Sequence, residues 1–226
     1  MLTAFHLRLC QITTEEYAGM VRNALFIFFM LPLLARAESV EIMLQEMAVI
    51  EKNTALLQAA VNSGAERALL CFSCHGEDGN SKRDYIPNLA SQNAAYLFTQ
   101  FEHFANGVRK NYVMSKLATG LSNDDRINIA LYFAQKEVKP RPQPAVAGDR
   151  GQALYNSVCF VCHGKEGYGS QQYPRIAGQP YDFLKTTLMK FLTNDPQRQN
   201  SPMLGVIRNM NEQQLSEVAA YVANMP

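Results

Sequence analysis

The chain has 226 residues, which is room for one or two domains. Hydrophobic residues make up 47% of it, so a globular fold is expected rather than a disordered chain. Its 21 basic and 20 acidic residues nearly cancel, and this balance gives no reason to expect binding to nucleic acid or to an anionic membrane surface.

An apolar run of eleven residues, 24–34, follows Arg22 near the N-terminus. It precedes Ala35-Arg36-Ala37, a pattern typical of signal-peptide cleavage, and it is too short for an ordinary membrane span. We predict that residues 1–37 are a presequence, with the true start at Met20 and cleavage after Ala37. An uncleaved membrane anchor is the alternative. Since three basic and two acidic residues lie in this segment, the remaining chain carries 18 of each.

Residues 38–62 repeat apolar side chains at three- and four-residue steps, which predicts a helix that ends before Gly64. We expect this helix to pack on the domain that follows it. A docking or dimerisation helix is the alternative.

A first domain is predicted over residues 63–135. Residues 93–107 read as a helix, and residues 122–135 read as a closing helix. Ser122 is expected to cap the closing helix, with Asp125 completing a weak capping box. Met114 is expected in an irregular loop between these helices. Three prolines in residues 136–147 predict an extended linker, and residues 148–226 form a second domain.

Two segments share the motif Cys-x-x-Cys-His, namely Cys71-Phe72-Ser73-Cys74-His75 and Cys159-Phe160-Val161-Cys162-His163. C-x-x-C-H is the attachment signature of c-type haem, in which two thiols add to the vinyl groups and the histidine binds the iron. A zinc or redox site is the alternative. A redox motif does not need the histidine, and a zinc site needs further ligands nearby. We therefore predict two covalently attached haem c groups, held by Cys71, Cys74, Cys159 and Cys162, with His75 and His163 as iron ligands.

The second domain repeats the first. Cys71 matches Cys159 at an offset of 88, and Met114 matches Met203 at an offset of 89. A methionine sixth ligand gives a closed iron suited to electron transfer. Met114 is the only methionine between His75 and Cys159, and the repeat selects Met203 from the four methionines of the second domain, Met189, Met203, Met210 and Met225.

His103 is an alternative iron ligand in the first domain. Its repeat partner is Lys190, so an exposed position is expected instead.

Other residues are expected to support the haems. The carbonyls of Pro87 and Pro174 are candidate acceptors for the second nitrogen of each histidine. Basic side chains that could meet the haem propionates are Lys82, Arg83, Arg109, Lys110, Arg175 and Arg198. For most of them an ordinary surface charge is expected instead.

Taken together, the two C-x-x-C-H motifs, the two Pro-x-[Leu/Ile]-Ala loops, Met114, Met203 and both closing helices resemble the dihaem cytochrome c4 family. The presequence and the segment Gly148-Asp149 with Gly151 and Leu154-Tyr155 also resemble that family, and the first domain lacks such an opening. The resemblance covers residues 64–226. It implies an all-α fold of two tandem class I cytochrome c domains, with the haems near the domain interface.

The function expected from these residues is electron transfer without catalysis, with each iron cycling between Fe(II) and Fe(III). The resemblance implies a periplasmic carrier that passes electrons between respiratory redox proteins such as a donor complex and a terminal oxidase or reductase. Loose association with the membrane is compatible with this role. The alternatives are a dihaem enzyme of the peroxidase or thiosulfate dehydrogenase type, and a membrane-anchored cytochrome subunit of a terminal oxidase.

Overall fold

The computed structural model describes residues 40–145 and 148–226, so the predicted presequence lies outside the described residues. Leu44–Pro226 form one compact unit. The described residues are helical or loop, with no strand among them. None of their helices is long and apolar enough to cross a bilayer.

Two sets of helices follow one another along the chain. After α1, residues 40–52, the first repeat contains α2 (Thr54–Arg67), a 3-10 turn (Ala68–Leu70), α3 (Phe72–His75), α4 (Ala94–Ala105), α5 (Tyr112–Thr119) and α6 (Asn123–Ala134). The second repeat contains α7 (Arg150–Leu154), a π-helical turn (Tyr155–Cys159), α8 (Phe160–His163), α9 (Tyr181–Leu192), α10 (Met203–Ile207) and α11 (Glu212–Ala223).

The single helix predicted over residues 38–62 is instead two helices, α1 and α2, separated at Asn53. The side chain of Asn53 accepts hydrogen bonds from the amides of Ala55 at 3.0 Å and Leu56 at 3.1 Å. An asparagine that bonds the backbone in this way starts a new helix rather than continuing the old one. Apolar periodicity runs through both helices and so could not reveal the break.

Gly64 lies inside α2, so the predicted helix stop at this position is wrong. α2 crosses α6, and a Cβ atom on Gly64 would lie 2.1 Å from the carbonyl oxygen of Asn128. In the second repeat α7 crosses α11, and a Cβ on Gly151 would lie 2.3 Å from the carbonyl oxygen of Glu217. The first repeat therefore has the same glycine crossing as the second, although its surrounding sequence differs.

The closing helices begin as expected. Ser122 and Asp125 exchange side-chain and backbone hydrogen bonds of 3.1 Å, which confirms the predicted capping box of α6. Asn211 and Gln214 form the matching box of α11, with both hydrogen bonds at 2.9 Å. Each closing helix is largely buried, since it supplies apolar side chains to the core of its own repeat.

The proline-rich segment has no regular secondary structure over residues 137–145. It is nevertheless fixed to both repeats. The guanidinium of Arg141 donates to the carbonyl of Ser81 at 2.8 Å, and the side-chain amide of Asn224 donates to the carbonyl of Pro144 at 2.9 Å. This segment thus follows a defined path between the repeats.

Candidate haem-binding sites

Each Cys-His motif forms one helical turn that ends at a glycine. In the first repeat the amide of His75 donates to the carbonyl of Cys71 at 2.9 Å. Gly76 ends the turn with φ +80°, a left-handed conformation that glycine adopts without strain, and Gly164 ends the second turn with φ +77°. Residues three apart share one face of a helical turn, so the turn presents the thiols of Cys71 and Cys74 on the same side.

The first thiol of each turn is shielded by burial. The four motif cysteines form no disulfide and are half-buried. Burial raises the pKa of Cys71 to about 11, although the positive charge of Arg67 acts in the opposite direction. Burial also raises the pKa of Cys159 to about 11. The reactive thiol of a redox Cys-x-x-Cys motif has a lowered pKa instead. The raised pKa values of Cys71 and Cys159 do not match that pattern.

Both motif histidines are held by a proline carbonyl, as the sequence predicts. Nδ1 of His75 lies 2.9 Å from the carbonyl oxygen of Pro87, and Nδ1 of His163 lies 2.9 Å from that of Pro174. A carbonyl only accepts hydrogen bonds, so Nδ1 carries the hydrogen and Nε2 keeps a free lone pair. Burial also lowers the pKa of both imidazoles, which favours their neutral form. Each histidine is therefore prepared to bind a metal through Nε2, and the donor set fits a c-type haem.

The two candidate methionine ligands lie in helices and not in loops. Met114 belongs to the first turn of α5, where its amide donates to the side chain of Asn111 at 3.0 Å. The prediction of an irregular loop at Met114 is wrong because Asn111 caps a short helix there. Met203 is the first residue of α10 and packs against a cluster of buried apolar side chains.

Two other methionines, Met189 and Met210, pack against the same cluster, which is formed by Phe191, Ile207 and Leu215. The repeat pairs Met189 with Glu102, from which a position on the solvent side of the helix is expected, but both residues are partly buried.

Arg109 and Arg198 occupy matching positions in the two repeats, at an offset of 89. The guanidinium of Arg109 stacks 4.5 Å from the ring centroid of Phe104, and that of Arg198 lies 5.5 Å from the ring centroid of Phe191. Burial lowers the pKa of Arg109 to about 9, with a further contribution from the charge of Arg198, while the Tyr96 hydroxyl beside both arginines acts in the opposite direction. Two neighbouring guanidinium groups of this kind suit carboxylates such as haem propionates.

The other basic candidates and His103 are placed differently. Lys82, Arg83 and Lys110 are exposed, whereas Arg175 is buried and donates to the carbonyl of Pro226 at 2.8 Å. His103 is half-buried in α4, and burial together with the charge of Arg109 lowers its pKa.

Two glutamines that the sequence analysis did not single out join the proline loops of the two repeats. The side-chain amide of Gln179 accepts from the amide of Asn88 and donates to its carbonyl, both at 2.9 Å. Gln92 accepts from the amide of Arg175 at 2.7 Å and donates to its carbonyl at 2.8 Å. Gln92 and Gln179 match at an offset of 87, so the repeat contained a signal for them.

Comparisons with known proteins agree with this geometry. A family profile described as cytochrome c matches residues 148–226. The chain is 29% identical to cytochrome c4 from Thiocapsa roseopersicina, over 69% of this chain and 87% of the relative. It is 30% identical to a thiosulfate dehydrogenase electron acceptor from Thiomonas intermedia (strain K12), over 70% of this chain and 80% of the relative.

Among solved structures, reduced cytochrome c4 from Pseudomonas stutzeri superposes with a TM-score of 0.68 at 23% identity, covering 74% of this chain and 98% of that structure. The fold is thus that of two tandem class I cytochrome c domains with an additional N-terminal helix. Together with the duplicated motif turns and the hydrogen-bonded histidines, these similarities establish the two haem c cofactors and the general role in electron transfer. The chain belongs to the dihaem cytochrome c4 family, carries two covalently attached haem c groups and transfers electrons.

Proposed function

We propose that this chain is a periplasmic electron shuttle in which His75 with Met114, and His163 with Met203, are the axial ligands of the two irons. One observation carries the proposal. In both repeats the motif histidine donates Nδ1–H to a proline carbonyl at 2.9 Å, which orients the ring and leaves Nε2 free. The methionine assignment is supported by the matched positions of Met114 and Met203 in the first turns of α5 and α10.

Bound haem supplies an iron that alternates between Fe(II) and Fe(III). The chain's own residues hold it and tune it. Cys71, Cys74, Cys159 and Cys162 would hold the two haems by thioether bonds, and Arg109 and Arg198 would pair with propionate carboxylates. The proline carbonyls increase the donor strength of each histidine, whereas a methionine thioether raises the reduction potential.

The same ligand set favours a carrier over an enzyme. A peroxidase or a thiosulfate dehydrogenase needs an iron position that a substrate can occupy, with an acid-base group beside it. A methionine at each iron fills that position. We expect the oxidised protein to display a methionine-to-iron charge-transfer band that accounts for both haems. A stable high-spin haem, or turnover with peroxide, would contradict this assignment.

Redox titration of Met114→Ala and Met203→Ala tests the ligands directly. Each substitution should lower one of the two midpoint potentials by on the order of 100 mV, because a strong determinant of haem potential is the axial ligand. Met210→Leu is the matched control, since Met210 packs against the apolar cluster of the second repeat and is assigned no ligand role. If neither alanine variant lowers a potential, the methionine assignment fails.

The location is proposed from the presequence. Residues 24–34 and the Ala35-Arg36-Ala37 pattern support export by a signal peptide, and covalent attachment of haem c takes place outside the bacterial cytoplasm. N-terminal sequencing of the purified protein should find Glu38 as the first residue. Recovery of residues 20–37 on the mature chain would favour the anchored alternative.

The partners are proposed to be respiratory redox proteins. The similarity to a thiosulfate dehydrogenase electron acceptor supports an oxidising enzyme as donor, and a terminal oxidase or reductase is the acceptor that a carrier requires. Rapid reduction of the oxidised protein by a purified thiosulfate dehydrogenase would identify one such donor class.

We also propose that the first haem domain begins at residue 54, because α2 makes the glycine crossing with α6. Residues 136–147 then link this domain to the second domain, 148–226.

A further inference from the structure

The two proline loops meet in a reciprocal contact. Gln179 of the second repeat binds both backbone groups of Asn88, and Gln92 of the first repeat binds both backbone groups of Arg175. Asn88 and Arg175 are themselves repeat partners at an offset of 87. Each repeat thus contributes the same two positions and receives the same two hydrogen bonds, as at an interface between two copies of one domain.

The residues that receive these hydrogen bonds directly follow the prolines that hold the histidines. Asn88 follows Pro87, whose carbonyl accepts from His75, and Arg175 follows Pro174, whose carbonyl accepts from His163. The amide nitrogen bound by each glutamine belongs to the same peptide group as that proline carbonyl. One peptide plane therefore links a glutamine of one repeat to the imidazole of the other.

The glutamines are buried firmly enough to fix this plane. Gln92 is 5% exposed, Gln179 is 3% exposed and Asn88 is 2% exposed. Removing a glutamine side chain would leave an amide and a carbonyl of the opposite loop buried without partners, which costs free energy for both groups. The loop would relieve that cost by moving, and the proline carbonyl would move with it.

We propose that Gln92 and Gln179 are positioning residues, each of which orients the histidine acceptor carbonyl of the other haem domain. Gln179 controls the His75 site and Gln92 controls the His163 site. The two haem sites are consequently coupled through the contact between the domains, and a disturbance in one proline loop reaches the imidazole across it. This inference rests on the proposed ligation of iron by His75 and His163.

The test is hydrogen exchange of the two histidine Nδ1–H protons, followed by NMR in the fully reduced holoprotein. In Gln179→Ala, exchange at His75 should accelerate about tenfold or more while exchange at His163 stays within about twofold. In Gln92→Ala the pattern should be reversed. Gln171→Ala is the control, since Gln171 is exposed in the same loop region of the second repeat and should change neither rate.

Redox titration provides the second readout. A weaker hydrogen bond at Nδ1 makes the imidazole a poorer donor to Fe(III), so Gln179→Ala should raise one midpoint potential, that of the haem whose potential falls in Met114→Ala. Gln179→Met, which keeps much of the side-chain volume but removes both the amide donor and the amide acceptor, gives the same direction if the alanine variant does not accumulate as holoprotein.

Equal effects on both histidines, or an effect confined to the repeat that carries the substitution, would overturn the inference. Such a result would leave the glutamines as ordinary contacts between domains. Failure of the proposed function can be distinguished from failure of this inference, because the methionine-to-iron charge-transfer band would then be absent from the unsubstituted protein.

Discussion

The methionine helices differ between the two repeats more than the histidine turns do. α5 has eight residues and begins at Asn111, whose side chain caps it, whereas α10 has five residues and begins after Pro202 without a side-chain cap. The Met203 amide donates to the Ser201 hydroxyl at 3.3 Å, and its side chain packs among Phe191, Ile207 and Leu215. The two methionine helices thus begin with different residues, an asparagine cap in the first repeat and a proline preceded by a serine in the second.

The proline loops also stabilise a similar backbone conformation with different residues. Ser91 in the first repeat has φ 50°, and its partner Gly178 in the second has φ 68°. The Ser91 hydroxyl donates to the carbonyl of Lys136 at 2.7 Å, an interaction that glycine lacks. The backbone path is common to both loops, while the side chains that stabilise it are not.

Substitution of the glycines at the two helix crossings tests whether the two repeats are built alike. The largest losses of unfolding free energy are expected at these positions. Gly64→Val and Gly151→Val would each force a side chain against a backbone carbonyl, at 2.1 and 2.3 Å from the new Cβ. Each variant should lose at least about 3 kcal/mol of unfolding free energy, because backbone on the facing helix cannot move aside cheaply. Denaturant unfolding of the holoprotein and haem content per chain would measure this.

Gly205→Ala is the control for that pair, since a Cβ on Gly205 meets open space. It should be neutral or stabilise α10 by less than about 1 kcal/mol. A harmless Gly151→Val beside a damaging Gly64→Val would show that the crossing matters in the first repeat alone.

The left-handed residues offer an intermediate effect that should be unequal between the repeats. Gly178→Ser should cost about 1–2 kcal/mol, since the conformation disfavours a side chain and a Cβ would lie 2.9 Å from Val138. Ser91→Gly should be nearly neutral, because relief of backbone strain offsets the lost hydrogen bond of about 1 kcal/mol. Thermal unfolding of the two variants measures the difference, and equal losses would contradict it.

The smallest expected effect concerns acid stability of the closing helices. Desolvation raises the pKa of Asp125, but hydrogen bonds from the Ser122 amide and the Arg67 side chain outweigh it, so the pKa is lowered on folding. A carboxyl with a lowered pKa contributes stability at neutral pH and loses that contribution as pH falls below about 4. The matching residue in α11, Gln214, does not titrate in this range.

Asp125→Asn should therefore cost about 0.5 kcal/mol at pH 7 and flatten the acid limb of the stability curve. Gln214→Glu should introduce such a dependence into the second repeat. Stability measured by denaturant unfolding from pH 3 to pH 7 checks both, and an unchanged acid limb in Asp125→Asn would show that other carboxyls determine it.

Much of the site followed from sequence because its residues are close together in the chain or repeated. The His75 contact with Pro87 spans twelve residues, and its duplicate at His163 and Pro174 made the pattern visible twice. The capping box at Ser122 and Asp125 depends on neighbours three residues apart, so local chemistry was enough to predict it. The break at Asn53 and the helix at Met114 were missed, because an asparagine cap competes with apolar periodicity in ways that periodicity alone does not reveal.

The amino-acid sequence by itself determined two haem attachment turns, their histidines, the proline acceptors and the duplication of the whole unit. These depend on covalent chemistry, short spacings and repetition, all of which can be identified from the order of residues alone. Only the tertiary structure decided that Gly64 is a crossing point, that Arg109 and Arg198 lie together beside Tyr96, and that Gln92 and Gln179 reach across to the opposite loops. Each of these depends on which atoms meet after folding: Gly64 and Asn128 are 64 positions apart, Arg109 and Arg198 are 89 apart, and Asn88 and Gln179 are 91 apart.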